Sequence, residues 1–227
     1  IRSVKPAEIA PARALAHRAV QHITGFARAN IAVQPDDSHS SLKWDASRPA
    51  MVSQPAERTF AGFDITSLEV FFEDEQGHRD TLLIDGVSVS RVADWFDEQA
   101  RERGLRPASS ARIPYDFPEE IAALEVYEAK GLDASLAALS GWFDLAASML
   151  ETTRNALKDR TPGPSPVRLW PHHFDLASLI ELDAAGGLGP LGLEPAWKPG
   201  GAVAQLPPGP LFAPLGQDGL EGHQPLL

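Results

Sequence analysis

The 227-residue chain carries 31 acidic and 20 basic side chains and a formal net charge of −11, so we expect no general nucleic-acid binding. It has no cysteine, which excludes a disulfide framework, thiol catalysis and cysteine-ligated zinc. No apolar run reaches the roughly 18 residues that a membrane-spanning helix needs, and the first residues lack the apolar core of a signal peptide. We therefore expect a soluble, cytoplasmic protein with no membrane partner.

The first predicted element is a helix over residues 7–30. Its apolar side chains recur at helical spacing, at Leu15, Ala19, Ile23 and Phe26. Three arginines of the same segment can lie towards water: Arg13, Arg18 and Arg28. His17 and His22 lie five residues apart, which is not the spacing of a metal-binding pair on one helix face, so we interpret them as surface or packing residues.

A change of pattern after Ile31 predicts strands. HSSLKWD (residues 39–45) and AMVSQPA (residues 50–56) have the length and the flanking turn residues of two short strands. Residues 58–73 come next, with an alternation at Leu68, Val70 and Phe72 that is typical of a strand with a buried face. A loop at 75–78 then leads to a return strand at 81–84. Together these segments predict an antiparallel sheet of about four strands.

Two longer helices are predicted after the sheet. Ser88 or Ser90 is expected to cap a helix that runs to about Arg103 and ends at Gly104, with one apolar stripe lying on the sheet. A short helix is predicted within residues 118–130. Residues 133–160 show the most sustained helical spacing in the chain, which predicts a long brace helix buried against the sheet, or alternatively against a coiled-coil partner.

The composition changes again near the C-terminal end. Residues 186–227 contain ten glycines and eight prolines among 42 residues, which is unfavourable for both helix and strand ladders. We therefore predict one α+β domain over residues 1–185, with an irregular Pro/Gly-rich tail over residues 186–227. The fold class is an antiparallel sheet with an N-terminal helix, a sheet-packing helix and one long brace helix.

The densest group of chemically capable side chains is the segment from Trp170 to Asp175. His172, His173 and Asp175 could bind a metal or form a general base with its orienting carboxylate. In a strand, His173 and Asp175 would share a face that His172 does not. A metal would need a further ligand, for which the candidates are His39, Asp36, Asp37 and Glu181, and the spacing matches no established metal signature. We therefore predict no metal and no cofactor.

A structural interpretation of the same residues is also open. Asp175 would then cap a short helix at 176–182, and the histidines would only hold the fold. His39 and Trp44, on the first strand segment, could line a polar-aromatic pocket, or could be a surface histidine and a core tryptophan. The predicted ligand-binding set is thus His39, Trp44, His172, His173 and Asp175.

The order of these elements resembles a mostly bacterial family known only as a domain of unknown function. The similarity lies in HSSLKW, FDITSLEVFFED, SVSRVADWFDE and above all Ser165-Pro166-Val167 with the succeeding WPHHFDLA, which fits a W-x-x-x-F-D-L-A motif. It covers about residues 15–182, and the Pro/Gly-rich tail departs from the family pattern. The resemblance implies the fold but no activity.

The sequence is compatible with two function classes. The first is a small-molecule-binding or enzymatic domain with its pocket near His39, His173 and Asp175. The second is a non-catalytic structural or protein-interaction domain in which those residues serve only the fold. The sequence leaves open whether the chain is an enzyme and what its oligomeric state is.

Overall fold

The computed structural model describes residues 5–159 and 163–179, which form an α+β fold. Its α-helices are Pro6–Asn30 (α1), Val89–Glu102 (α2), Glu119–Ala122 (α3) and Asp133–Ala156 (α4). Its strands are Leu42–Asp45 (β1), Ala50–Ser53 (β2), Thr59–Asp64 (β3), Glu69–Asp74 (β4), Arg79–Leu83 (β5), Arg168–Trp170 (β6) and Asp175–Ala177 (β7). Short 3-10 helices occupy Ser38–Ser40 and Ala108–Ser110. The predicted tail over residues 186–227 lies outside the described residues.

The strands form one antiparallel sheet with the order β5-β4-β3-β2-β1-β6-β7. Strands β1 to β5 are a meander, in which each strand pairs with the next one along the chain. Strand β6, which comes much later in the chain, pairs with the free edge of β1, where Leu42 lies opposite Leu169. The predicted class is confirmed, but the prediction of about four strands was too low.

The undercount has two causes. Residues 58–73 form two strands rather than one, because a turn separates β3 from β4 and ends at Leu68 with a positive φ of 54°. The other two uncounted strands are β6 and β7, which the WPHHFD segment connects as a turn. In the first strand segment, His39 and Ser40 belong to a 3-10 helix, and the strand begins only at Leu42.

Helix α1 is the buried centre of the fold. Leu15, Ile23 and Phe26 are each at most 2% exposed. The helix contacts β2 and β3 of the sheet, and it also contacts α2, α3, α4 and both 3-10 helices. A helix enclosed in this way needs little polar surface towards water. Of the three arginines placed towards water, Arg13 is exposed, whereas Arg18 and Arg28 are half-buried.

Helix α2 agrees closely with the prediction. The Ser88 hydroxyl accepts a hydrogen bond from the Arg91 N–H at 3.2 Å, which satisfies one of the unpaired donors of the first turn. The helix ends before Gly104, which has a φ of +72° that other residues rarely adopt. Trp95 and Phe96 are buried, and their ring centroids lie 5.7 and 5.2 Å from the ring of Phe72 in β4. The predicted sheet-packing helix is confirmed.

Helix α4 departs from the prediction in its surroundings. It packs mainly along α1, with smaller contacts to β1 and β7, so it does not lie buried across the sheet. Leu136, Leu139 and Phe143 face the core. Leu145 and Met149 are 57% and 62% exposed. None of the helices in residues 5–159 is both long and apolar enough to cross a membrane.

The outer face of the sheet carries a small apolar cluster around Phe71. This side chain is buried, together with Ala50 and Val52, and the Arg79 guanidinium carbon lies 3.5 Å from its ring centroid. Phe71 pairs across the strands with Gly62 of β3. A Cβ atom on Gly62 would lie 2.1 Å from the Phe71 ring, so the ring occupies the space that the glycine leaves open.

Replacement of Gly62 should therefore destabilise the fold through this single contact. We expect Gly62→Ala to lower the free energy of unfolding by about 1–3 kcal/mol, the usual cost of overpacking, because the Phe71 ring must leave its site. Urea denaturation monitored by circular dichroism measures the change.

Gly141 provides the matched control, since it lies inside α4 and a Cβ atom there meets nothing within 4 Å. We expect Gly141→Ala to raise the free energy of unfolding by roughly 0.5–1 kcal/mol through helix propensity. Equal effects of the two substitutions would contradict the proposed packing of Phe71 on Gly62.

Candidate functional site

The two adjacent histidines lie at the tip of the β6–β7 hairpin. Trp170 pairs with Asp175, and the Phe174 N–H donates to the Trp170 carbonyl at 2.8 Å. His172 and His173 lie in the turn between them, both exposed, with ring centroids 4.0 Å apart. Asp175 begins strand β7, so the prediction that it caps a helix at 176–182 was wrong. The two histidines also do not alternate across a strand, because the turn carries both.

The hairpin is attached to α1 by buried hydrogen bonds. The Pro171 carbonyl accepts from His17 Nε2–H at 2.7 Å and from the Gln21 side-chain amide at 3.0 Å. Both donors are at most 4% exposed. Arg13 donates to the His173 carbonyl at 2.9 Å. The interpretation of His17 as a packing residue is confirmed, and its partner is the backbone of the WPHHFD turn.

The surroundings of His172 disfavour its protonated form. Partial burial lowers the pKa of His172, and the neighbouring His173 lowers it further. Tyr115, whose hydroxyl donates to Gln21 at 2.8 Å, lies 5.8 Å from the His172 ring. The two hairpin histidines and Asp175 form an exposed polar rim. The fold has a cavity that Trp44 borders and another between α1 and α2, and none of these three residues lines either of them.

His39 lies at a different place, in the 3-10 helix before β1. Its side chain is 1% exposed, and its Nδ1 accepts from the Gln34 N–H at 3.3 Å. Its Nε2 is buried without a hydrogen-bond partner among the described residues. Burial lowers the pKa of His39, and Asp37 opposes that shift from 3.7 Å. No hydrogen bond or ring contact within residues 5–159 and 163–179 joins His39 to the hairpin histidines.

Trp44 faces α4 from strand β1. Its indole N–H donates to the Asp144 carboxylate at 2.8 Å, and its ring stacks on Phe143 at 5.2 Å. It also borders a cavity of about 210 Å³ with Lys43, Ala147, Glu151, Pro166, Val167 and Arg168. The five predicted ligand-binding residues thus lie in three places: His39 in the 3-10 helix, Trp44 against α4, and His172, His173 and Asp175 on the hairpin. Their ligand-binding role stays a prediction.

A larger cavity, of about 390 Å³, lies between α1 and α2. We call it the α1–α2 cavity; residues 108–113 complete its wall. Its polar lining comprises Arg18, Gln21, His22, Ser90, Asp97 and Ser109. Its apolar lining comprises Gly25, Val89, Ala93, Ala108, Ala111 and Ile113. Half of the lining residues are polar and half are small or aliphatic, and the volume falls within the range of small-molecule sites.

The histidine of this cavity is neutral. Burial lowers the pKa of His22 to about 3, and the positive charge of Arg18 lowers it further. The His22 Nε2 and the Tyr127 hydroxyl are hydrogen-bonded at 2.9 Å, and burial raises the pKa of that hydroxyl far above its ordinary value. His22 can therefore offer a hydrogen bond but does not hold a charge at neutral pH.

Asp97 anchors the loop that closes the cavity. Its carboxylate accepts from both the N–H and the hydroxyl of Ser109, and it also pairs with Arg101 at 3.5 Å. The 3-10 helix Ala108–Ser110 is held against α2 in this way. Gly25 allows the close approach on the α1 side, since a Cβ atom there would lie 3.3 Å from the Ala108 carbonyl oxygen.

Sequence reasoning missed the cavity residues because it placed Arg18 towards water and interpreted His22 only as a surface or packing residue. A partial signal was available: His17, Gln21, Thr24 and Arg28 succeed one another at spacings of four, three and four residues, and of these four Gln21 lines the cavity. A polar stripe at helical spacing, on a helix whose other faces are apolar, indicates polar contacts inside the protein. Among the described residues, no group of three or more His, Asp or Glu side chains is placed to hold a metal ion.

The two buried histidines of α1 make stability depend on pH. Burial lowers the pKa of His17 to about 4 and that of His22 to about 3, from an ordinary value of 6.5. The unfolded chain therefore binds more protons between those values, and the free energy of unfolding should fall as the pH drops below 6.5. Each histidine contributes at most about 1.4 kcal/mol per pH unit. Urea denaturation at pH 7.5, 6.0 and 5.0 measures the slope.

The variant His22→Gln should reduce this slope to the contribution of His17, whatever it does to stability at pH 7.5, because one of the two buried titrating groups is gone. His78→Gln is the control, since the His78 side chain is 84% exposed. A slope that His78→Gln flattens as much as His22→Gln does would contradict the assignment to buried histidines.

Comparisons with known proteins assign no function to the chain. No protein-family model matches it, and no curated protein or solved structure is found to match it. A functional assignment therefore depends on the three groups of side chains and on the α1–α2 cavity.

Proposed function

We propose that this chain is a small-molecule-binding domain and that its ligand occupies the α1–α2 cavity. The observation that carries the proposal is the lining: a half-buried arginine and a neutral histidine converge with six small or aliphatic residues on a cavity of about 390 Å³. Pockets of about 300–1,000 Å³ that combine apolar walls with placed polar groups are the usual binding sites for small molecules. The hairpin that carries His173 and Asp175 then serves to hold α1 in place.

Several features support binding as the role of this cavity. Asp97 is already hydrogen-bonded to Ser109, and the Nε2 of His22 is bonded to the Tyr127 hydroxyl. These groups hold the walls in position before a ligand arrives, which reduces the ordering cost of binding. We include in the same proposal that the chain does not bind nucleic acid, which its formal net charge of −11 supports, and that it belongs to the family with the W-x-x-x-F-D-L-A motif, which WPHHFDLA supports. A cytoplasmic location is part of the same proposal.

A second candidate is a protein-interaction domain, and one observation favours it. Trp142, Leu145 and Met149 form an exposed apolar stripe on α4, with exposed fractions of 42%, 57% and 62%. Exposed apolar stripes of this kind often mark contact surfaces. If α4 contacts a second copy of the chain, the thermal midpoint should rise with protein concentration, and it should not do so in the double variant Leu145→Gln/Met149→Gln.

The first candidate is tested with a fragment library of neutral, acidic and basic compounds, screened by NMR on the 15N-labelled full chain. We expect the hits to shift the amide signals of Gly25, Ala93 and Ala111, which line the cavity. The variant Ala93→Met should reduce the affinity of those hits at least tenfold, because its side chain fills the cavity.

Ala137→Met is the matched control, since Ala137 is exposed on α4 and the substitution adds the same side-chain volume to a helix. It should leave the affinities unchanged. If the hits scatter over the surface, or if Ala93→Met and Ala137→Met affect them equally, the proposed binding function is wrong.

A further inference from the structure

The lining of the α1–α2 cavity also indicates a class of ligand. We propose, on the basis of the proposed binding function, that the cavity binds a small organic acid whose single carboxylate pairs with Arg18 and whose short aliphatic body lies against the apolar wall. The proposal depends on the charge of Arg18, on the position of Asp97 and on the shape of the wall.

Arg18 is a positive charge without a matching negative charge in the described structure. Its Nε is buried and has no hydrogen-bond partner there, and no described acidic side chain lies within ion-pair distance of its guanidinium. Its guanidinium carbon lies 5.6 Å from the ring centroid of Phe117. A partly buried charge that lacks its partner is unfavourable, and a carboxylate from a ligand can supply two acceptors in the geometry that a guanidinium prefers.

The two other arginines of α1 have polar partners that Arg18 lacks. Arg28 pairs with Asp37, and Arg13 donates to the His173 carbonyl. Both contacts reach towards parts of the chain outside the cavity. Arg18 instead lines the cavity itself, and its positive charge acts on His22 and Tyr127 beside it. An anionic group placed there would meet a guanidinium and a neutral hydrogen-bonding histidine.

Asp97 limits the ligand to one negative charge. It lines the same cavity, and its carboxylate already accepts from Ser109 and Arg101, so it is not free to receive a cation from a ligand. A phosphate dianion would bring a second negative charge close to it, in a chain whose formal net charge is −11. A monocarboxylate meets the guanidinium without that repulsion.

The rest of the cavity wall determines the size and the apolar character of the remainder of the ligand. Its surface is small or aliphatic throughout, at Gly25, Val89, Ala93, Ala108, Ala111 and Ile113. The volume of about 390 Å³ is near the lower end for ligand pockets. A branched aliphatic acid of a few carbon atoms buries its body against this surface and leaves its carboxylate at Arg18.

The test uses three probes on the 15N-labelled full chain: 4-methylpentanoate, its neutral isostere 4-methylpentanamide, and inorganic phosphate. We expect saturable shifts of the Gly25 and Ala93 amide signals with the acid, binding at least tenfold weaker with the amide, and no saturable shift with phosphate. Arg18→Gln should lower the affinity for the acid at least tenfold while leaving that for the amide unchanged.

Arg58→Gln is the control variant, because Arg58 is 69% exposed and pairs with Glu75 at a distant hairpin. It should change none of the affinities. Arg18→Lys keeps the positive charge but not the two-pronged geometry, so it should retain part of the preference for the acid. If Arg18→Gln does not fold, this variant and the ratio of acid to amide affinity in the unaltered chain decide the question.

The outcomes separate this inference from the proposed function. Equal binding of acid and amide, or an acid affinity that Arg18→Gln leaves intact, overturns the carboxylate assignment but leaves a ligand-binding cavity. Fragment hits that map to the cavity and are all neutral or basic overturn it as well, as does Arg18-dependent binding of phosphate that matches the acid. Absence of any cavity-directed binding overturns both proposals.

Discussion

The carbonyl oxygen of Pro171 accepts hydrogen bonds from His17 and Gln21, and the arrangement of the whole fold depends on that junction. It joins residues that are 154 and 150 positions apart in the sequence. Because α1 is enclosed by the sheet and by the other helices, its buried polar side chains have no water to bind. A buried donor left unsatisfied costs about 1–3 kcal/mol. The hairpin therefore stabilises the helix by supplying the acceptor, and the helix stabilises the hairpin by holding its turn in place.

The elements that could be predicted from the sequence are those whose signal is local. Helix α2 shows this best, since Ser88 caps it and Gly104 ends it through contacts within one turn. Helices α1 and α4 were predictable for the same reason, from the spacing of their apolar residues. What α4 packs against was not predictable, because the same stripe of Leu136, Leu139 and Phe143 fits a sheet or another helix. The pairing of β6 with β1 depends on residues far apart and leaves no local pattern.

The candidate site was only partly predictable, for a related reason. WPHHFD stands out in the sequence because its side chains are chemically capable, but its turn supplies the Pro171 backbone carbonyl to α1, and its two histidines are exposed. The cavity is formed by α1, α2 and residues 108–113, whose juxtaposition has no characteristic spacing. Arg18 looked like an ordinary surface arginine, since a sequence window contains nothing that distinguishes a guanidinium facing solvent from one facing a cavity.

The order of the strands has a consequence for synthesis from the N-terminus. The meander β1 to β5, together with α1 and α2, can assemble as soon as it has emerged, since each of its strands pairs with its neighbour in sequence. The outer edge of β1 then stays open until β6 arrives, with its backbone groups unpaired and able to pair with another chain. His17 and Gln21 lack their shared acceptor over the same interval. Until then the nascent protein is open to misassociation along β1, and the β6–β7 hairpin is the part of the described structure that covers this edge.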